Sequence, residues 1–267
     1  MNAHANTGTV LDRILESRRA EVERRKSVLP ETALKYGVAA ASPVRDFAVA
    51  LSRDAINVLA ELKPASPSRG IIRDPFDAAA LAKSLESAGA AALSVLTEGE
   101  FFAGSLKNMR DARKETSLPV LRKDFIFDPW QVWEARANDA DSFLLIIAAL
   151  TDGRLKDLLA LGRELKMEPL VEVHTRPELD RALEAGARIL GVNNRDLKTL
   201  NVRVEISYEL IAYIPDDCLA VAESGLRTHA DLNDLRAAGF DAFLIGERLM
   251  EATDPAAALR ELLTPAQ

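Results

Sequence analysis

Glu61 and Lys63, two opposite charges, close the apolar run Asn57-Val58-Leu59-Ala60-Glu61-Leu62-Lys63. Side chains alternate faces along a strand, so Glu61 and Lys63 share one face while Val58, Ala60 and Leu62 share the other. The run breaks at Pro64 and opens into a loop of small residues, Ala65-Ser66-Pro67-Ser68-Arg69-Gly70. Taken alone, it also reads as an edge strand with a solvated end. Similar endings recur downstream, however: Leu121-Arg122-Lys123-Asp124, then Glu172 with His174, Asn193 with Arg195, and Glu223 with Ser224. Parity agrees, because Val171 and Val173 lie opposite Glu172, and Leu190 and Val192 lie opposite Asn193. Burying unpaired carboxylates and amines is costly, so their repetition on one parity points to a shared site.

Two lysines among two or three carboxylates suit proton transfer at a carbonyl or sugar carbon. A lysine can protonate or electrostatically stabilise a carbonyl oxygen, and a nearby glutamate can remove a proton. Glu223-Ser224-Gly225 and Ile245-Gly246-Glu247 each put a glycine where backbone N–H groups could meet an anion, with a helix N-terminus expected beyond. Turns need glycine in any case, so neither segment is specific alone. Ser66 and Ser68 offer hydroxyl donors from the opening loop. This chemistry calls for no metal and no cofactor. His4, His174 and His229 are the only histidines, which disfavours a histidine-rich metal site or a histidine-based triad. The one cysteine, Cys218, lies in an apolar run and reads as a small core residue.

The elements that must position these residues follow a rhythm. Short β-prone runs occupy 56–62, 91–96, 119–124, 142–148, 169–174, 188–193, 218–223 and 241–246. Helical patterns lie between several of them, at 76–88, 130–138, 155–166, 177–185, 204–212 and 229–238. Gly89, Gly186 and Gly239 follow three of these patterns as left-handed caps. Eight strand–helix units without a hairpin signal predict an all-parallel sheet closed as a (β/α)8 TIM barrel. An open doubly wound sheet is disfavoured because no G-x-G-x-x-G follows the first strand. Active sites of such barrels sit at the C-terminal strand ends, where the charged residues fall, and the loops after strands seven and eight are their usual phosphate site.

Residues 1–55 read as an N-terminal helical extension packed on a single catalytic barrel domain, 56–267. Within it, residues 1–8 read as disordered, 11–26 as an amphipathic helix and 47–51 as a short helix, with 30–55 otherwise ambiguous. The formal net charge of -7 argues against nucleic acid or an anionic membrane as partner. No signal peptide is evident, and no apolar run reaches the roughly 18 residues of a membrane span. A cytoplasmic protein acting on a small phosphorylated molecule is expected. Nothing fixes the oligomeric state, and a monomer is the working expectation.

The stretch Ala60-Glu61-Leu62-Lys63-Pro64-Ala65-Ser66-Pro67-Ser68-Arg69-Gly70 resembles the signature of the indole-3-glycerol-phosphate synthase family of tryptophan biosynthesis. Leu11–Leu15 resembles the start of that family's N-terminal helix, and Ser94–Glu98 with Phe102 and Gly104-Ser105 its second strand and loop. Leu121–Phe125, Leu170–His174, Gly191–Leu197, Ala222–Gly225 and Phe243–Gly246 continue the likeness in order, over about 240 residues.

The resemblance implies ring closure, decarboxylation and dehydration of 1-(2-carboxyphenylamino)-1-deoxyribulose 5-phosphate. By the match, Lys123 would be the general acid, and Glu172 would serve in the later proton transfer and dehydration. Lys63 would stabilise charge and hold the substrate's carboxylate, oriented by Glu61. Asn193 and Arg195 would hold the substrate, and Glu223 would line the site. Ser66, Ser224, Gly225 and Gly246 would contact the phosphate, and Phe125 with the 64–68 loop would wall the aromatic ring. Glu247 stands where some members carry serine, so only its backbone N–H is expected to donate there. A Schiff-base aldolase with Lys63 or Lys123 as nucleophile is the alternative on the same barrel. The sister isomerase of the pathway would lack the extension and the S-P-S loop, and a silent sugar-phosphate binder would bind without decarboxylation.

Overall fold

The computed structural model describes residues 9–265, so the reading of residues 1–8 as disordered lies outside the described residues. Eight parallel strands close into a barrel: β1 (Asn57–Leu62), β2 (Ala92–Leu96), β3 (Val120–Lys123), β4 (Ser142–Ile146), β5 (Leu170–Val173), β6 (Ile189–Asn193), β7 (Leu219–Glu223) and β8 (Ala242–Ile245). Each pairs with the next, and β8 returns to β1 with Val58 opposite Phe243. Every expected strand is present, its limits within two residues of those read from the sequence.

Helices follow the strands in turn: α4 (Ala78–Ser87), α5 (Leu106–Glu115), α6 (Pro129–Ala137), α7 (Asp152–Glu164), α8 (Arg176–Glu184), α9 (Glu205–Ile211) and α10 (His229–Ala238). A final pair, α11 (Glu247–Glu251) and α12 (Pro255–Leu263), follows β8. The sequence reading has no counterpart for α5, α11 or α12. Helix α5, LKNMRDARKE, is mostly polar and buries only Met109, Ala112 and Arg113, so its apolar stripe is thin. The cap glycines Gly89, Gly186 and Gly239 all take positive φ, as their positions demand. One departure concerns the loop after β1. Ala65–Ser66 pairs antiparallel with Gly70–Ile71, a ribbon too short to leave an alternating pattern in the sequence.

Strand alternation sorts the core into two shells. Val58, Ala60, Leu62, Val171, Val173 and Val192 pack outward against the helices. Leu59, Leu121, Leu144, Leu170, Ile189 and Leu244 fill the barrel interior. At the N-terminal end, α3 (Phe47–Leu51) inserts Phe47 and Leu51 into the inner shell and stoppers the barrel. Register is pinned by side chains as well: Asp141 Oδ2 accepts the Val120 N–H at 2.8 Å, and Asp241 Oδ2 accepts the Ala220 N–H at 2.7 Å. Each aspartate thus fixes the start of one strand against the turn that enters the next.

The chain before β1 forms α1 (Val10–Val28) and α2 (Glu31–Ala40) besides α3. A capping box opens α1, with Thr9 and Asp12 exchanging hydrogen bonds. Beyond the capping Asp12, its buried face carries one charge, Arg18, which is 1% exposed. Arg18 Nε and Nη2 grip Asp124 at 2.9 and 2.7 Å, and Arg122 Nη2 meets the same carboxylate at 3.0 Å. Arg122 also reaches Glu134 at 2.9 Å, which Arg25 of α1 contacts at 2.6 Å. Burial pushes the Asp124 carboxyl up, yet the two guanidiniums outweigh it and hold it at about 2. Helix α1 is therefore bolted to the residue that immediately follows Lys123.

Replacing Arg18 by alanine leaves Asp124 buried with one guanidinium instead of two. The Arg18→Ala variant is expected to lose about 3 kcal/mol of unfolding free energy, read from its urea midpoint. An unchanged midpoint would contradict this account of how α1 is attached.

Candidate active site

At the C-terminal ends of the strands the barrel opens into a cavity of about 430 Å³, within the range of small-molecule sites. Glu61, Lys63, Lys123, Phe125, Glu172, Asn193, Arg195, Glu223, Ser224, Gly225, Gly246 and Glu247 all line it. Ser66 does not. It is 8% exposed in the short ribbon, with its Oγ 3.4 Å from Ser68 Oγ.

The inward parity of four strands brings the charges together. Lys123 Nζ, from β3, donates to Glu172 Oε2 of β5 at 3.1 Å and to Glu223 Oε2 of β7 at 2.9 Å. Lys63 Nζ lies 2.7 Å from Glu61 Oε1 of β1. Burial alone would discharge Lys123, but Glu223, Glu172 and Glu61 reverse that and hold it as an ammonium. Burial likewise pushes Glu172 and Glu61 up, and the lysines pull both below the usual carboxylate range. Glu223 goes the other way. Burial outweighs Lys123, and the neighbouring Glu172 charge adds to it, so its carboxyl is pushed up to about 7. Two ammonium groups face three carboxylates, and a proton on Glu223 brings the cluster close to balance.

Two glycines make room for these carboxylates. A Cβ on Gly191 of β6 would lie 2.1 Å from Glu223 Oε1, and one on Gly246 would lie 2.4 Å from Glu61 Oε1. Gly246 is thus explained first by Glu61, whatever anion its N–H also meets. Helix α11 begins directly after Gly246, whereas α10 begins only at His229, four residues beyond Gly225. Ser224 and Gly225 both take positive φ, 68° and 84°. For Ser224 this conformation costs about 1 kcal/mol. Asn193 Oδ1 accepts its hydroxyl at 2.8 Å, and Asn194 Nδ2 donates to its carbonyl at 3.1 Å, which holds the turn. Arg195 is tied rather than free, with Nη2 3.3 Å from Glu247 Oε2.

Several cavity residues escape the sequence reading. Phe102 stands 6.0 Å, centroid to centroid, from Phe125 and completes an aromatic wall. Its loop is fastened by Glu98, which is buried and accepts the N–H groups of Glu100, Phe101 and Phe102. Leu144, Ile146 and Leu244 floor the cavity from inward positions that parity could have marked. Val202, Leu197 and Arg227 come from loops, where no periodicity identifies them, and Arg248 from the short helix α11. Among the described residues, no group of three or more His, Cys, Asp or Glu side chains is placed to hold a metal ion.

Two expectations follow. Gly191→Ala must displace the Glu223 carboxylate, and a shift near 1 Å is expected to lower turnover on the order of 100-fold in steady-state assays. The raised carboxyl of Glu223 also binds a proton in the folded chain that the unfolded chain has released. Its contribution to stability is full below the ordinary glutamate range and is lost as pH rises towards about 7. Glu223→Gln should flatten the fall in unfolding midpoint between about pH 5 and 7, and an identical slope in both proteins would contradict the assignment.

Residues 11–262 match the family model described as indole-3-glycerol phosphate synthase. The chain is 46% identical over 258 residues to a protein of that name from Dehalococcoides mccartyi (strain CBDB1), covering 95% of this chain and all of the relative. It is 47% identical over 255 residues to the synthase of Rhodococcus jostii, with 96% and 95% covered, and 48% identical over 249 residues to that of Chlorobium chlorochromatii, with 92% and 97% covered. Among solved structures, 3-hexulose-6-phosphate synthase superposes with a TM-score of 0.61 at 15% identity, over 78% of this chain and 98% of that one. That likeness is one of fold alone. A barrel mouth built from a lysine held between glutamates, carried on a chain that matches over nearly its whole length, places this protein in the indole-3-glycerol phosphate synthase family.

Proposed function

We propose that this chain closes the indole ring, converting 1-(2-carboxyphenylamino)-1-deoxyribulose 5-phosphate to indole-3-glycerol phosphate with loss of carbon dioxide and water. Family membership supports the reaction, and the buried Lys123 ammonium between Glu172 and Glu223 is the observation that carries the chemistry. Lys123 is the general acid. It gives its proton to the ketone oxygen as the ring carbon bearing the carboxylate attacks the ketone carbon and the new carbon–carbon bond forms. Carbon dioxide then leaves, and the electron pair of the broken bond returns to the ring system. Glu172, held ionised by Lys123 and His174, takes a proton from the adjacent methylene. The hydroxyl departs as water with a proton from the lysine–glutamate cluster, which leaves the aromatic indole. Because the carboxylate leaves as neutral carbon dioxide, one proton is drawn from solvent per turnover.

Lys63, oriented by Glu61 at 2.7 Å, stabilises the substrate's carboxylate while it remains attached. Phe125 and Phe102 sandwich or wall the aromatic ring. Asn193 and Arg195 hold the substrate chain, and Ser224, Gly225, Gly246 and the Glu247 backbone receive the phosphate. Ser66, in the ribbon beside the mouth, belongs to the same phosphate-contacting set. Helices before residue 56 act as an extension of one catalytic barrel domain, 56–267. Action in the cytoplasm on a small phosphorylated substrate, as a monomer without nucleic acid or membrane, completes the reading. The net charge of -7 supports it, and no helix among the described residues is long and apolar enough to cross a membrane.

The roles are tested by Lys123→Ala and Glu172→Gln. Each is expected to cut the rate of indole-3-glycerol phosphate formation by about 100-fold or more with the circular-dichroism melt still cooperative. Near-native formation by both variants would remove the assignment, and a borohydride-trapped adduct on either lysine would favour the aldolase instead.

A further inference from the structure

One buried titratable group beside the catalytic cluster enters the steps above only through its charge. His174 follows β5, two residues after Glu172, and both of its ring nitrogens are shut away from solvent. Nε2 lies 3.4 Å from Glu172 Oε1, the oxygen that Lys123 does not take. Nδ1 lies 3.4 Å from Glu178 Oε2. These are ion-pair distances, looser than aligned hydrogen bonds, and a ring in this position attracts both carboxylates only while it is an imidazolium. Glu178 is itself fixed. It occupies the first turn of α8 behind the Thr175 cap, and its Oε2 accepts the His174 N–H at 2.6 Å.

We propose that His174 is a positioning residue of this reaction, holding the second oxygen of Glu172 and linking it through Glu178 to the start of α8. The proposal rests on the reading of Glu172 as the group that moves a proton. With Lys123 on Oε2 and His174 facing Oε1, both carboxylate oxygens have a set direction, and the plane of the carboxylate is fixed relative to the cavity. Asn193 also hydrogen-bonds the Glu172 carboxylate, so loss of His174 removes one of three side-chain contacts and gives the carboxylate more freedom to turn about its last bond.

The charges around the ring set the pH behaviour. Burial works against the imidazolium, but Glu178 and Glu172, with Glu223 from β7, outweigh it and raise His174 above the ordinary histidine value. Asp196, from the loop after β6, adds to the field it sees. Lys123 faces the far side of Glu172. A raised value means that the link is complete at low pH and is lost as pH rises through the folded-state value.

The test compares the whole enzyme with His174→Gln and Glu178→Gln over pH 6 to 9, using the carboxyphenylamino-ribulose phosphate as substrate. In His174→Gln, kcat is expected to fall about tenfold or more with KM within about threefold, because binding groups are untouched while the base is misaligned. The alkaline limb that the imidazolium contributes to the kcat profile should vanish in that variant. Glu178→Gln keeps the ring in place and should move the limb to lower pH. The same shift should appear in the histidine ring resonances, with His174 identified by its loss in the glutamine variant. Unchanged kcat and an unmoved limb in both variants would overturn the inference while leaving the role of Glu172 standing. Native turnover in Glu172→Gln would instead overturn the role of Glu172, and this inference with it.

Discussion

A lysine ammonium that is shut inside a barrel mouth survives only with carboxylates around it, and that constraint organises this molecule. Lys123 sits between Glu172 and Glu223 at 3.1 and 2.9 Å, drawn from the alternate strands β3, β5 and β7, whose ends face one another only when the barrel closes. Desolvating any one of these charges alone costs several kcal/mol, so none is stable there without the others. The charges do not cancel while all three carboxylates are ionised. Glu223 absorbs the excess by taking a proton near neutral pH, which leaves one site holding an acid, a base and a spare proton together. Ring closure with loss of carbon dioxide and water needs that combination.

The surrounding structure reads as support for this cluster. Gly191 and Gly246 surrender their side chains so that Glu223 and Glu61 can approach the strands. Outside the barrel wall, Asp124 carries the grip of Arg18 and Arg122 one residue beyond Lys123, and its Oδ1 also accepts the Phe125 N–H at 2.8 Å. Helix α1 is thereby connected to Lys123 and to the aromatic wall through one buried carboxylate. On the other side of the cavity, Asn193 and Asn194 hold Ser224 in a conformation that it would not adopt unaided. Strand ends supply the charges, while their neighbours in sequence, facing the opposite way, supply the anchorage.

Much of this was legible beforehand, because strand alternation is a rigid code. Glu61, Lys123, Glu172 and Glu223 share a parity with the inner-shell residues Leu59, Leu121, Leu170 and Val221, so their direction follows from the register of each strand. In sequence, Arg122 and Asp124 belong to the same charged strand end. Their parity sends them outward, and the partner that makes sense of them, Arg18, lies about a hundred residues away. Ser66 sits in a two-residue ribbon that has no sequence period, so alternation does not fix its direction. Helix α5 was invisible because its buried stripe is so thin, and Val202 and Arg227 because loops carry no code at all.

The central claim is that Lys123 is held as a cation, an acid and not a nucleophile. Nitrogen-15 labelling of lysine, with Lys123 assigned by its loss in Lys123→Ala, reads that charge directly across a pH titration of the free enzyme. The account predicts that Lys123 keeps its ammonium signal beyond the pH at which exposed lysines lose theirs. A neutral amine near pH 7 would contradict it and return Schiff-base chemistry to consideration.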